Sequence, residues 1–207
     1  QNKHGLPDEH VFETWEQLLS QPKLADLAVI ATQDSMHYEP AMKALAAGYD
    51  VLLEKPLART EDECVDLLNQ ARKYGRKFMV CHVLRYTPFY SRVQQLIDEG
   101  VLGDIVTIVH TEGLGNVHQS HSFVRGNWGN TAKSNFMLLA KSCHDIDLLQ
   151  WSMNKKCTKV QSFGSLKYFR RENAPAAAPE CCFDCCPHAK TCPYNAVWLY
   201  LDDKDNM

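Results

Sequence analysis

The 207-residue sequence has no apolar run near the roughly 20 residues that span a bilayer, so no membrane helix is expected. It has no excess of positive charge either. Its formal net charge of -3 argues against nucleic acid as a partner. No signal peptide opens the chain, which favours a reducing, cytoplasmic setting. There is no internal repeat, and no Gly-x-Gly-x-x-Gly turn of the kind that cradles a pyrophosphate. The chain starts at Gln1-Asn2-Lys3, without Met, as the tail of a helix would. It stops at Asp205-Asn206-Met207, just past a strand-like run at 196–201. Both ends read as cut from something longer.

What is present is ordinary for a globular protein: 45% hydrophobic and 23% charged residues, enough to bury a core. Thr14-Trp15-Glu16-Gln17 has the spacing of a capping box and predicts a short helix stopped before Pro22. Residues 27–31 are uniformly apolar, as expected of a parallel strand covered on both faces. A helix is predicted from Tyr38, with Pro40 in its first turn and Gly48 as its left-handed stop. A strand follows over 50–53. Thr60-Glu61-Asp62-Glu63 is a second capping box, opening a helix that runs to Tyr74 and ends at Gly75. Residues 77–83 form the next strand. This βαβαβ order with short connections predicts a parallel, covered sheet of the doubly wound, Rossmann type. Such sheets take their ligands at the C-terminal ends of the strands. Glu54-Lys55-Pro56 stands at one such end, so Lys55 is a candidate for chemistry.

Beyond Arg85-Tyr86-Thr87-Pro88 the pattern changes. Residues 89–99 are predicted helical. Residues 104–111 alternate like a strand exposed on one face, and 159–169 are strand-like. Between them, 113–135 is a polar loop carrying Arg125, Trp128 and two histidines, a length that favours function. Residues 136–153 read as one helix with Leu138, Leu139, Ile146, Leu149 and Met153 on an apolar face. Lys141, His144 and Asp147, three apart, fall on another face.

Nine cysteines are many. Cys64, Cys81, Cys143 and Cys157 sit in apolar or helical context and read as buried thiols. Five more crowd into 181–192, after a Pro/Ala linker at 173–179. Cys182-x-x-Cys185 has zinc-knuckle spacing, and Cys182, Cys185, Cys186 and Cys192 would suit a tetrahedral structural zinc; the alternative is a loop of free or partly oxidised thiols.

The runs Ile30-Ala31-Thr32, His37, Ala44 and Gly48-Tyr49-Asp50-Val51-Leu52-Leu53-Glu54-Lys55-Pro56-Leu57-Ala58 resemble the Gfo/Idh/MocA oxidoreductases, relatives of glucose–fructose oxidoreductase and inositol dehydrogenase. Arg85-Tyr86-x-Pro88, Gly100-x-x-Gly103-Asp104 and the helix around His144 continue the resemblance, which covers roughly residues 10–170. It implies the C-terminal part of a dinucleotide-binding Rossmann domain over 1–84. An α+β substrate and oligomerisation domain with a mostly antiparallel sheet follows over 85–207, carrying a Cys-rich insert at 179–193. By the family pattern roughly 60–70 residues would lie upstream, a ~30-residue βαβ unit and its extension.

The resemblance further implies NAD or NADP as cofactor, contacted by Thr32, His37, Glu54, Lys55 and Arg85. It suggests a cis peptide before Pro56. It implies hydride transfer at a carbinol carbon of a sugar, cyclitol or polyol, with Lys55 and His144 catalytic, and a homo-oligomer with no nucleic-acid or membrane partner. Lys141, Asp147, Arg125 and Trp128 are the candidate substrate contacts, with His118 and His121 beside the last two. The sequence departs from the family in two places. Gln33 replaces a proline, and Ala140 stands where an aspartate usually pairs with the histidine. That departure leaves two other functions open: an NAD-dependent glycosidase on the same fold, or a non-enzymatic sensor of sugars or dinucleotides.

Overall fold

The computed structural model describes residues 5–202 and divides the chain into two compact units. The first comprises residues up to 111 together with 131–155; the second comprises 112–130 and the chain from 156 onward. The helices Pro88–Asp98, Met137–Ala140 and Cys143–Met153, which follow residue 84, belong to the first unit. The expected helix tail at Gln1-Asn2-Lys3 lies outside the described residues, as does the terminus at Asp205-Asn206-Met207.

The first unit is built on a three-stranded parallel sheet in the order β1 (Leu27–Ile30), β2 (Asp50–Leu53), β3 (Phe78–Val80). Ala28 pairs with Val51, and Val51 with Phe78, so the strands are in step. Helices α2 (Tyr38–Ala46) and α3 (Glu61–Tyr74) make the crossovers, and α1 (Trp15–Leu19) precedes β1. The core joins Ile30, Val51 and Leu53 of the sheet to Ala41, Ala44 and Leu45 of α2 and Leu67 and Ala71 of α3. Each fully buried leucine here removes enough apolar surface from water for about 2 kcal/mol.

The helix ends follow local chemistry. Thr60 accepts from the Glu63 amide at 3.2 Å while the Glu63 carboxylate accepts from the Thr60 amide, a complete capping box. Gly75 closes α3 at φ 60°, a left-handed position that costs glycine least. At α1 only half of the expected box forms. Thr14 accepts from Gln17, but the Gln17 side chain takes the amide of Glu13.

The sheet is covered on one face only. Leu27, Val29 and Met79 are exposed, so the uniformly apolar β1 does not report burial on both faces among the described residues. Its burial alternates instead, as the period of two requires when helices pack on one side.

The rest of this unit is helical: α4 (Pro88–Asp98), α6 (Met137–Ala140) and α7 (Cys143–Met153). The helix expected over 136–153 is broken at Lys141-Ser142. The expected apolar face is also rotated: Ile146 and Leu138 are exposed, while Ala140, Asp145 and Leu148 are buried.

The second unit holds α5 (Asn116–His118), which runs into a wide π-type turn at Gln119–Val124, and a chain of turns through the cysteine cluster. Gly126 is required there. A Cβ on it would stand 2.1 Å from the His121 carbonyl oxygen. Among the described residues, 104–111 and 159–169 make no strand pairing, and Trp198–Asp202 is a π-type turn rather than the strand read at 196–201. A strand needs a neighbouring backbone to take its N–H and C=O groups. These segments meet none. The mostly antiparallel sheet is accordingly not formed among the described residues.

Candidate active site

The ladder of the sheet runs one residue past its strands. The Glu54 amide donates to Ile30 O at 2.9 Å and the Cys81 amide to Leu53 O at 2.8 Å. Lys55 and His82 therefore emerge side by side at the C-terminal edge, the ligand end of such a sheet. The Lys55–Pro56 peptide is cis. The Glu54 carboxylate accepts from the Lys55 amide at 3.1 Å.

His37 braces this turn from below. It is almost wholly buried, with Nδ1 2.8 Å from the Pro56 carbonyl and Nε2 3.2 Å from the Thr32 carbonyl. Both ring nitrogens face backbone, so His37 holds the turn and leaves no ring atom to reach a cofactor. Thr32 donates its hydroxyl to Met36 O at 2.9 Å, closing the turn that opens α2.

Lys55 reaches across to α6. Its Nζ donates to the Ala140 carbonyl at 3.2 Å. Where an aspartate side chain was expected, a backbone oxygen holds the lysine. One bond leaves two of the three ammonium hydrogens for other acceptors. His144, on the first turn of α7, lies within reach of that charge. Burial pushes its imidazole below the ordinary histidine range, and the cations of Lys55 and Lys141 push it the same way, with His82 acting between them. Its Nδ1 is buried and has no hydrogen-bond partner.

His82 meets His144 edge to face, ring centroids 6.0 Å apart. Its Nδ1 is buried without a partner as well. Burial lowers its pKa, the nearby Asp147 carboxylate opposes this, and Arg85 reinforces it. Sequence reading passed over His82. The signal was available, since His82 follows β3 as Lys55 follows β2.

Arg85 and Asp147, assigned separately to cofactor and substrate, are partners of each other. The guanidinium donates to both carboxylate oxygens, at 2.6 and 2.5 Å, and lies 5.2 Å over the Trp151 ring. A bidentate pair of this kind fixes both side chains and leaves the remaining guanidinium N–H groups for other acceptors. The pair anchors α7 against the segment after β3. Asp145, also passed over, is buried and takes a hydrogen bond from His110 Nε2 at 2.7 Å. Lys141 caps the end of α6, half-buried and already engaged.

Two family models match the chain: one described as an oxidoreductase family with an NAD-binding Rossmann fold, over residues 2–82, and one described as the Gfo/Idh/MocA C-terminal domain, over residues 90–180. The chain belongs to the Gfo/Idh/MocA family. The inositol 2-dehydrogenase/D-chiro-inositol 3-dehydrogenase of Lactiplantibacillus plantarum is 25% identical over 82% of this chain and 45% of its own. The 2,7-anhydro-N-acetylneuraminate hydratase of Escherichia coli is 30% identical over 62% of this chain and 33% of its own. The crystal structure of scyllo-inositol dehydrogenase from Lactobacillus casei with bound NAD(H) and scyllo-inositol superimposes with a TM-score of 0.61 and 27% identity, over 70% of this chain and 42% of that one. The chain spans less than half the length of these relatives.

Within this Gfo/Idh/MocA chain, Lys55, His82, Cys143, His144 and the Arg85–Asp147 pair gather at one edge of the first unit. Burial raises the Cys143 thiol, with the Lys55 cation opposing. Arg125 and Trp128 belong to the second unit. Arg125 donates to Tyr194 O and, at 3.0 Å, to Cys182 Sγ; Trp128 packs on Phe123. Of the cysteines expected to be buried, Cys157 is exposed and the others are half-buried. No three of the clustered cysteine sulfurs lie within 4.8 Å of one another. Among the described residues no helix is long and apolar enough to cross a membrane.

Proposed function

We propose that this chain carries the reacting-carbon half of an NAD(P)-dependent oxidoreductase that acts on a CH–OH group of a sugar, cyclitol or related polyol. The observation that carries the reading is the edge where Lys55, held by the Ala140 carbonyl, lies within electrostatic reach of His144, whose buried Nδ1 has no hydrogen-bond partner. The residues present fit the reactive end of a dinucleotide and a hydroxyl. They supply a cation with free donors and two buried ring nitrogens without partners.

Thr32, Glu54 and Lys55, at the ends of β1 and β2, would hold the cofactor. The bound nicotinamide supplies hydride exchange. The chain supplies everything polar. His144 hydrogen-bonds the substrate hydroxyl and orients its oxygen. Lys55 either stabilises the developing alkoxide with its ammonium charge or relays the hydroxyl proton, passing on one of its own as it takes it up. The Arg85–Asp147 clamp fixes α7 and so fixes His144.

The test replaces Lys55 by Met and follows reduction of NAD or NADP by inositols and aldoses in the purified protein. Loss of turnover by about 10²-fold or more, with dinucleotide binding kept, is expected. Undiminished turnover in the variant, or no turnover by the parent with any polyol and either dinucleotide, overturns the reading.

A second reading has its own support in Ala140 and in the Escherichia coli relative named a hydratase. Without the usual aspartate, Lys55 and His144 suit elimination and hydration next to a transiently oxidised carbon, as in NAD-dependent glycosidases of this fold. Release of the alcohol from an aryl glycoside with no net change in the nicotinamide would favour that reading over simple dehydrogenation.

A further inference from the structure

The second unit does not hold itself together in the usual way. Among its described residues the only buried side chains are those of Ser120 and His121; every buried apolar side chain lies in the first unit. It contains no strand among the described residues. Fixing a backbone residue costs about 1–2 kcal/mol, and a unit of this size without an apolar core needs another source of order. Small folds find it in disulfides, metal or association.

The cysteine cluster has the composition and placement for the second of these. Cys182, Cys185, Cys186 and Cys192 line a single cavity of about 720 Å³. The chain around it is a run of tight turns: Asp184 N to Cys181 O, Ala189 N to Cys186 O, and Cys192 N to His188 O, at 3.1, 3.1 and 2.9 Å. Cys185 itself takes φ 51°, a left-handed position unusual for a residue with a side chain, which turns the chain between the two thiol pairs. Four thiolates around a divalent ion leave two net negative charges. Two cations stand where those charges would fall: Arg125, whose Nη1 donates to Cys182 Sγ at 3.0 Å, and Lys190, which lines the same cavity.

We propose that Cys182, Cys185, Cys186 and Cys192 bind one thiophilic divalent ion, of the zinc class, as the structural staple of the second unit. Cys182-x-x-Cys185 supplies one pair at knuckle spacing. Cys186 and Cys192, across the His188 turn, supply the other. Tetrahedral thiolate ligation at about 2.3 Å brings sulfurs to about 3.8 Å from one another. The sulfurs stand further apart than that as a set, so ligation draws the turns inward, and metal binding is coupled to ordering of the unit. The step is ligand exchange: thiol protons go to solvent as sulfur–metal bonds form, with no change of oxidation state.

The test is on the purified chain under reducing conditions. Zinc is counted by mass spectrometry, and cobalt(II) is then substituted for it. One ion per chain is expected, with thiolate-to-cobalt charge-transfer absorption and the visible bands of a tetrahedral site. Cys185→Ser and Cys192→Ser should each lose those bands, and Cys157→Ser, outside the cluster, should keep them. Because a cluster variant can fail to fold, the parent is also alkylated with and without zinc and the modified thiols mapped. Zinc should protect the four cluster thiols, and a chelator should abolish the protection. Absence of thiolate–cobalt absorption in the parent overturns the proposal. So do an alkylation pattern indifferent to zinc, and disulfides among the four cysteines in reduced protein.

Discussion

His37 shows how one side chain decides the geometry of a site without entering it. Its two ring nitrogens sit against the carbonyls of Pro56 and Thr32, deep in the first unit. His37→Ala removes the ring N–H that donates to one of these carbonyls and opens a cavity, and the expected cost is about 1–3 kcal/mol from the unmet carbonyl alone. Urea denaturation of the variant measures it, and His37→Gln should recover part of the loss. Lys55 and His144 were legible in the sequence because each belongs to a composite pattern in which strand end, proline and helix spacing agree. Asp145 and His82 were not. Their importance depends on His110 and His144, partners that folding brings to them from other segments. The pairing of Arg85 with Asp147 was not legible, since nothing in one sequence says that two charged residues 62 positions apart will meet.

At the scale of elements, the capping boxes separate what local sequence can and cannot promise. The box at Thr60 forms completely and the box at Thr14 forms by half, though both have the same spacing. Thr60→Ala removes the acceptor for the Glu63 amide, and a loss of about 1 kcal/mol is expected in thermal or urea unfolding. Helix α3 and strand β2 fall where the sequence put them, because their periodicity, caps and stops are all local. Strand-like segments at 104–111 and 159–169 do not pair among the described residues. A strand's hydrogen bonds are made with another strand, so alternation proposes an element that only a neighbour can complete. The break at Lys141-Ser142 was invisible for a related reason: apolar spacing carries through it, and tertiary contact from Lys55 to Ala140 fixes where α6 stops.

At the scale of the whole molecule, three histidines make the fold acid-sensitive. Burial lowers the pKa of His82, His121 and His144 below the ordinary value of 6.5. In the unfolded chain these groups take up protons near 6.5; in the folded chain they do so only at lower pH. The unfolded state therefore binds more protons across that window. Stability is unaffected above about pH 6.5 and falls as pH drops from there through the depressed folded values. Urea midpoints taken from neutral to mildly acidic pH should decline, and His82→Asn with His144→Asn should flatten the decline. A midpoint that rises on acidification contradicts the burial assigned to these rings.

The sequence by itself determined the family, the parallel βαβαβ order and the candidacy of Lys55 and His144. Each of these is written in short-range spacing: caps, stops, apolar period and a strand ending in Glu-Lys-Pro. The tertiary structure decided which face of the sheet is covered, that Arg85 and Asp147 answer each other, that His37 is a brace, and that a carbonyl of Ala140 stands in for a missing carboxylate. These are contacts between residues distant along the chain. They depend on how helices and strands come to rest against one another, and that is set by burial and by the pairing of polar groups across the fold.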